Sequence, residues 1–205
     1  MAENRIAPTK GNLINVKKSL GLAKVGYDLL DRKRNILIRE MMTMIDKASS
    51  IQGEIDLNYA EAYAALQMAN IVLGFCDEAA KTVPPDDGLD IDFRSVMGVE
   101  IPIVTLEERK IEVPFGLNSS TGMLDKAYLK FENVKRLTAR LAEIENSIYR
   151  LADAIKKTQK RANALKNVMI PQFADTVKTI SDALDEKDRE EFSRLKVIKA
   201  QKNNK

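Results

Sequence analysis

The stretch that decides the fold runs from Val134 to Met169 and reads VKRLTARLAEIENSIYRLADAIKKTQKRANALKNVM. Alternate steps of three and four residues along it give eleven positions, and ten of them are apolar, with Thr158 as the exception. Charged residues such as Lys135 and Arg140 lie between these positions, so the apolar stripe is narrow. A narrow stripe with a period of ~3.5 residues is typical of a helix that winds around another helix. The stretch therefore predicts one strand of a coiled coil.

A second pattern of the same kind near the N terminus predicts the partner helix. Thr9 is placed as an N-cap, and a three-four alternation of apolar residues then runs to Ile55, with Arg34 as its only charged member. The pattern continues more weakly to Pro84-Pro85, where the missing amide hydrogens would end a helix. The predicted seam residues are Leu13, Val16, Leu20, Tyr27, Leu30, Leu37, Met41, Met44, Val134, Leu137, Leu141, Ile144, Ile148, Leu151, Ile155 and Leu165.

The segment between the two patterns has a different character. Residues 84–118 contain two β-like runs, Val99–Val104 and Lys110–Pro114, whose alternation of apolar and polar residues predicts a small hairpin. Prolines restrict such strands to sheet edges. The predicted fold class is therefore all-α. N- and C-terminal segments (1–83 and 119–205) form a long antiparallel two-helix coiled coil, and the mid-chain insert (84–118) contains a short β-hairpin.

Two further signals concern the second helix. Asn118-Ser119-Ser120-Thr121 offers several residues that could cap its N terminus. Pro171 interrupts the pattern further on, but apolar residues resume helical spacing after it. We therefore expect a kink at Pro171, and not necessarily an end of the helix.

The charge of the chain is small in total and uneven along its length. Net charge is +3, which is too little to predict nucleic-acid binding by the whole chain. Residues 1–40 carry nine Lys or Arg against four acids, whereas residues 77–114 carry four against ten. From Phe192 onward there are five basic residues and no acid. If the helices fold back on each other, the two basic chain ends lie together, away from the acidic insert.

Several features predict a cytoplasmic protein. Cys76 is the only cysteine, so no intrachain disulfide can form, and a reducing compartment is the simplest interpretation. The N-terminal residues contain no apolar core of a signal peptide. No apolar run approaches the ~20 residues that span a bilayer.

The residue content argues against catalysis by this chain. Histidine is absent, which removes the commonest general base and metal ligand. Asp86, Asp87, Asp90 and Asp92 lack the terminal glutamate of a calcium loop, and we expect no metal there. The stretch Gly21–Gly26 has the two glycines of a phosphate-binding loop but is followed by Tyr27-Asp28 and not by the required lysine. We expect no catalytic residue, no cofactor and no bound nucleotide.

Two charged features allow more than one interpretation. The basic run Lys156–Arg161 is either a solvated helix face or a docking surface for an acidic protein or nucleic acid. No aromatic residue interleaves with it, which argues against a platform for single-stranded nucleic acid. Arg34, in a seam position, either sets the register of the helix pair or extends its charged end outward to water.

Three blocks of sequence resemble a known family. They are Pro8–Leu13 together with Gly26–Arg34, then Lys157–Leu165 continuing to Pro171, and finally Glu186–Lys196. In this order they are similar to blocks of the D subunit of V/A-type rotary ATPases, and the similarity extends over nearly the whole chain. Ala162 and Lys166 depart from the valine and glutamate that the family is expected to carry there.

The resemblance implies a central rotor shaft that is itself not catalytic. The paired terminal helices would enter a ring of catalytic and non-catalytic nucleotide-binding subunits. The other end would face the F subunit, a companion in the stalk, and a membrane-side rotor connector, peripheral to the membrane. The insert 84–118 is a candidate for companion or regulatory contacts, and no direct binding of nucleotide, nucleic acid or lipid is expected. The candidate contacts with the ring are Lys10, Arg32, Lys33, Arg34, Lys160, Arg161, Arg194 and Lys196.

The alternative function comes from a different class. A free-standing cytoplasmic coiled-coil scaffold or tether, with a basic tip that binds an acidic partner or nucleic acid, would explain the seam and the charge distribution equally well. It does not account for three family-like blocks in the right order.

Overall fold

The structure is a computed structural model that describes residues 7–85, 87–107, 116 and 121–203. Its elements are helix α1 (Lys10–Leu73), the short helix α2 (Asp77–Lys81), strands β1 (Leu89–Val96) and β2 (Val99–Leu106), helix α3 (Gly122–Ala164), a π-helical turn (Leu165–Met169) and helix α4 (Ile170–Asn203). The chain forms two compact units: unit 1 comprises residues 1–35 and 156–205, and unit 2 comprises residues 36–155. Within the described ranges, no helix is long and apolar enough to cross a membrane.

Helix α1 begins where the sequence predicts. The Thr9 side-chain oxygen Oγ1 accepts a hydrogen bond from the backbone N–H of Asn12 at 3.2 Å, which is the geometry of an N-cap. The carbonyl oxygen of Thr9 also accepts the N–H of Leu13 at 3.0 Å. Thr9 is therefore confirmed as the capping residue.

The predicted end of α1 at Pro84-Pro85 was wrong. The helix ends at Leu73, because Gly74 has a φ of +83°, a left-handed conformation that terminates helices and suits glycine. The N–H of Gly74 still reaches the carbonyl oxygen of Asn70 at 2.9 Å. The five-residue helix α2 occupies part of the interval before the prolines.

The helical path continues through Pro171, as predicted. The five residues Leu165–Met169 form a π-helical turn just before it, and α4 then runs to Asn203. Proline has no N–H to donate and its ring crowds the preceding turn. A wider turn accommodates both effects within a continuous helix.

The mid-chain hairpin pairs β1 and β2 in antiparallel register, from Leu89 opposite Leu106 to Val96 opposite Val99. Met97 and Gly98 connect the strands with φ values of 52° and 75°, which correspond to the type I′ turn that tight hairpins prefer. The predicted run Val99–Val104 lies in β2. Its partner in the structure is Leu89–Val96, where the sequence pattern predicted no strand.

Two further predictions fall outside the described residues. One is the other predicted strand, Lys110–Pro114. The other concerns three of the four proposed caps of α3, namely Asn118, Ser119 and Ser120.

The core of unit 2 joins the hairpin to the two helices. Leu37 and Met44 of α1, Ile101 of β2 and Leu151 of α3 form one buried cluster. A second cluster is centred on Ala69 of α1 and Leu124 of α3, with Cys76, Ala79 and Tyr128 packed against it. Leu37, early in this part of α1, packs with Leu151 of α3, whereas the later residue Ala69 packs with the earlier residue Leu124. The two helices are therefore antiparallel.

Unit 1 has its own seam between α1 and the helix formed by α3 and α4. Val16, Ala23, Ala162 and Ile180 are buried in it. The nitrogen Nζ of Lys10 lies 4.0 Å from Asp188, near the other end of the same seam. In both units, every seam residue given above is buried or half-buried. Ser147 is also buried, which the pattern did not indicate; its hydroxyl donates to the carbonyl oxygen of Glu143 at 2.8 Å.

Candidate functional site

A polar network crosses the seam of unit 1 at Arg34. Its nitrogen Nη1 donates to the side-chain oxygen of Gln159 on the facing helix at 2.8 Å. Its other terminal nitrogen, Nη2, lies 2.7 Å from Asp31 and 3.2 Å from the side-chain oxygen of Asn35. Gln159 in turn donates to Asn163 at 2.9 Å. The guanidinium thus bonds both to its own helix and across the seam.

This network decides between the two interpretations of Arg34. The side chain is only 24% exposed, so its charged end does not extend freely into water. If either helix slipped by one turn, the guanidinium would lose Gln159 and remain in a largely apolar seam, which is costly for a charge. A polar residue at a single seam position is a known means of fixing helix register. These contacts support the interpretation of Arg34 as a register device.

The eight basic residues proposed as ring contacts all belong to unit 1, and the structure separates them by their surroundings. Arg32, Lys160 and Arg161 are exposed and form no ion pair within the described part of the chain. Lys33 is half-buried. Arg34 belongs to the network described above.

The remaining three basic candidates have neighbours on the surface. Arg194 lies 3.7 Å from Glu190, and Lys196 lies over the ring of Phe192 at 5.0 Å. Lys10 approaches Asp188 at 4.0 Å, with both side chains well exposed. Exposed pairs of this kind contribute little to stability, so these cations can exchange their neighbours for another partner.

The end of α4 presents apolar side chains to the solvent. Phe192, Leu195, Val197 and Ile198 are each more than half exposed. In the described part of the chain, α1 begins at Lys10, near Asp188, and no residue of α1 is available to pack against α4 beyond that point. The helical spacing was predicted from sequence, but the exposure could not be, because it depends on where the partner helix begins.

The glycine pair that resembles a phosphate-binding loop lies inside helix α1. A Cβ atom placed on Gly26 would lie 3.7 Å from Cδ1 of Leu165, so the glycine faces the seam of unit 1. Nothing lies within 4 Å of the corresponding position at Gly21. A continuous helix offers no exposed backbone N–H groups to a phosphate, because its amides are already bonded within the helix.

The described acidic residues of the insert do not converge on one point. The Asp90 carboxylate accepts the N–H of its neighbour Ile91 at 2.9 Å, and Asp87 and Asp92 are exposed. Asp86 lies outside the described residues. Elsewhere in the described ranges too, no three Cys, Asp or Glu side chains are grouped closely enough to hold a metal ion.

Unit 2 contains an apolar cavity of about 430 Å³ that sequence reasoning did not find. Residues of α1, α2 and α3 contribute to its walls, among them Leu66, Ala79, Leu124 and Phe131. It exists because α1 ends at Leu73 and the chain turns back to place α2 beside α3. That turn was missed from the sequence together with the end of α1.

Comparison with known proteins identifies the family of the chain. The family model for the D subunit of ATP synthase matches residues 12–200. The V-type ATP synthase D subunit of Thermotoga neapolitana is 46% identical over 196 residues, which cover 95% of this chain and 97% of that protein. The A-type ATP synthase D subunit of Pyrococcus abyssi is 38% identical over 201 residues (96% and 94%), and that of Desulfurococcus sp. is 40% identical over 200 residues (95% and 94%). The chain belongs to the family of ATP synthase D subunits found in V-type and A-type complexes.

Proposed function

We propose that this chain is the central-stalk rotor subunit of its ATP synthase complex, transmitting torque between the nucleotide-binding ring and an ion-translocating membrane rotor. The observation that carries the proposal is the packing of a long N-terminal helix against antiparallel helices of the C-terminal half, with the Arg34–Gln159 hydrogen bond between them. Helix α1 alone has 64 residues, which corresponds to a length of about 96 Å. A shaft needs both length and resistance to twisting.

Resistance to twisting comes from the contacts between the helices. A single helix bends and twists easily, whereas twisting a pair forces its members to slide past each other. The Arg34–Gln159 bond and the packed layers around it oppose such sliding in unit 1. The buried Leu37–Leu151 layer opposes it in unit 2. Interdigitated side chains cannot slide without opening voids.

The chemistry of ATP would then belong to the partners. We propose that the chain is not catalytic by itself and that unit 1 lies within a ring of catalytic and non-catalytic subunits. The companion F subunit and the membrane-side connector would contact other parts of the chain, and the insert 84–118 is a candidate for such contacts. In this role the chain acts on the cytoplasmic side, peripheral to the membrane.

Three cations are our first candidates for contact with the ring. Arg32, Lys160 and Arg161 are exposed and unpaired within the described chain, so binding an acidic loop would break no existing bond. Arg34 is a weaker candidate for the same reason, because its guanidinium already has partners on both helices.

The test uses a triple variant in the reconstituted complex, Arg32→Gln with Lys160→Gln and Arg161→Gln. A matched control changes three exposed cations of unit 2: Arg39→Gln, Lys47→Gln and Arg140→Gln. Both variants lose the same charge, and circular dichroism checks that each remains folded. We expect ATP turnover coupled to ion transport to fall several-fold in the first variant and to stay near wild type in the control. Equal turnover in both would overturn the assignment of these contacts.

Native mass spectrometry of the complex purified from its own cells tests the partners. We expect one copy of this chain together with two kinds of large ring subunit and a small companion. Recovery of the chain alone or with nucleic acid would contradict the proposal and favour a free-standing scaffold.

A further inference from the structure

The two outer edges of the hairpin differ in how their backbone groups are satisfied. On β2, the N–H of Val104 donates to the Glu143 carboxylate at 3.1 Å, and the carbonyl oxygen of Glu100 accepts from Arg150 at 3.1 Å. Both side chains come from α3. Pro102 lies between these outward-facing residues, where alternation also turns it outward, and its missing N–H costs the hairpin no bond. Helix α3 therefore covers the edge of β2.

In the described part of the chain, no helix covers the outer edge of β1 in this way. Leu89, Ile91 and Phe93 lie opposite Leu106, Val104 and Pro102, so their backbone groups also face away from the hairpin. Among the residues that the structure describes, the N–H of Ile91 is bonded only to the neighbouring Asp90 carboxylate. Leu89 and Phe93 have no backbone partner on this edge within the described structure. An open edge of this kind is a template for a further strand.

The side chains of β1 divide into an apolar face and an acidic face. Leu89, Ile91 and Phe93 share one face and are 47%, 49% and 57% exposed, and the Arg150 guanidinium of α3 lies over the Phe93 ring at 5.1 Å. Asp90 and Asp92 lie on the other face and are exposed as well. The next residue on that face, Arg94, lies 3.7 Å from Glu40 of α1.

This charge pattern identifies the kind of strand that fits. A second copy of β1, paired antiparallel about Ile91 or parallel in register, would bring aspartates opposite aspartates, and like charges across a strand pair are destabilising. Charged residues on an edge strand commonly prevent self-association in this way. A strand with apolar residues on one face and Lys or Arg on the other would complement both faces of β1.

We propose that the open edge of β1 binds an extended, basic segment of another subunit of the complex, which adds a third strand to the hairpin. The inference rests on membership of the complex and not on torque transmission. The two can therefore fail separately: a chain that rotates without strand addition, or adds a strand without rotating, distinguishes them.

Hydrogen–deuterium exchange is the first test. It compares the free chain with the intact complex purified from its own cells, following peptides of β1 and, as an internal control, peptides of β2. We expect the outward amides of β1 to exchange at least tenfold more slowly in the complex, while β2 changes little. Unchanged exchange in β1 would overturn the proposal. Exchange in the free chain that slows with concentration would also overturn it, by showing that a second copy occupies the edge.

A pair of variants separates strand pairing from side-chain burial. Ile91→Pro removes the outward N–H of β1 as Pro102 does in β2, and Ile91→Ala removes the side chain but keeps the N–H. Slow exchange of the ladder amides of Asp90 and Asp92 in each free variant checks that the hairpin remains folded. When the complex is reassembled from wild-type partner subunits, we expect the proline variant to lose the added protection of the β1 edge and the alanine variant to keep most of it. Equal loss or equal retention in the two variants would contradict strand addition.

Discussion

The seams of the two units differ in polarity at two nearby positions of α1. In unit 1, Arg34 and Gln159 place a polar network across the helix pair. Only three residues further along α1, Leu37 of unit 2 is completely buried with Leu151 and Ile101. The apolar cluster stabilises through burial and close packing and has no directional bonds across the seam. The polar network adds a directional bond between the helices, which forms only when Arg34 lies opposite Gln159.

The largest expected effect comes from opening the apolar cluster. Leu151→Ala removes most of a side chain that is 0% exposed, and such substitutions cost about 3 kcal/mol of unfolding free energy. The matched control Leu129→Ala, at an exposed position of the same helix, should cost less than about 1 kcal/mol. Urea denaturation of both variants measures the difference. Similar losses would show that the cluster is not the main source of stability in unit 2.

Replacing the polar network should change specificity more than stability. Arg34→Met puts an apolar side chain of similar length into the seam, and we expect the unfolding free energy to stay within about 1 kcal/mol of wild type. The helix pair should then sample shifted registers, visible as two populations in hydrogen exchange of α1. Arg32→Met, at an exposed position, is the control. A single population in the Arg34 variant would contradict the role in register.

Replacing a glycine inside unit 1 should increase the free energy of unfolding. A side chain at Gly21 meets nothing within 4 Å, so Gly21→Ala should stabilise the chain by about 1 kcal/mol through helix propensity. Thermal unfolding followed by circular dichroism measures the gain. No change, or a loss, would show that the flexibility of α1 at this point matters to the fold.

The smallest effect concerns an exposed ion pair of unit 2. A hydrogen bond and the charge of Lys130 hold the pKa of Glu61 below its ordinary value of 4.5. The stabilisation of the folded chain by this ion pair is therefore fully present above the ordinary pKa of glutamate. It disappears as pH falls through the lowered pKa that Glu61 has in the folded chain. Lys130→Met and Glu61→Gln should each reduce the melting temperature slightly at neutral pH, and the difference from wild type should vanish in acid. A difference that persists in acid would assign the effect to packing.

Much of this architecture could be predicted because it follows from periodicity. The spacing of Val134, Leu151 and their equivalents indicates which face of each helix is buried, whatever the details of packing. The end of α1 was not predictable in the same way. Gly21 and Gly26 lie within the helix while Gly74 ends it, and the pattern of neighbouring apolar residues does not distinguish them. Strand β1 was missed because Asp90 and Asp92 have low strand propensity, which pairing with β2 overrides.

The candidate contacts could be predicted only as a set. Sequence identified the basic residues of the chain ends, but every one of them has the same charge. Which are free for a partner depends on neighbours from the facing helix, such as Gln159 beside Arg34. The direction of a long side chain is decided by tertiary contacts that no local pattern contains.

Direct observation of rotation tests the proposed role most closely. A biotin-linked probe can be attached through Tyr149→Cys, an exposed position in unit 2, in a background where Cys76→Ser removes the only native thiol. The ring subunits are fixed to a surface and ATP is added. If the chain is the rotor, we expect stepwise rotation of the probe in one direction, with ion transport preserved in the labelled complex. A probe that stays fixed relative to a ring that continues to hydrolyse ATP would contradict the proposal that this chain transmits torque.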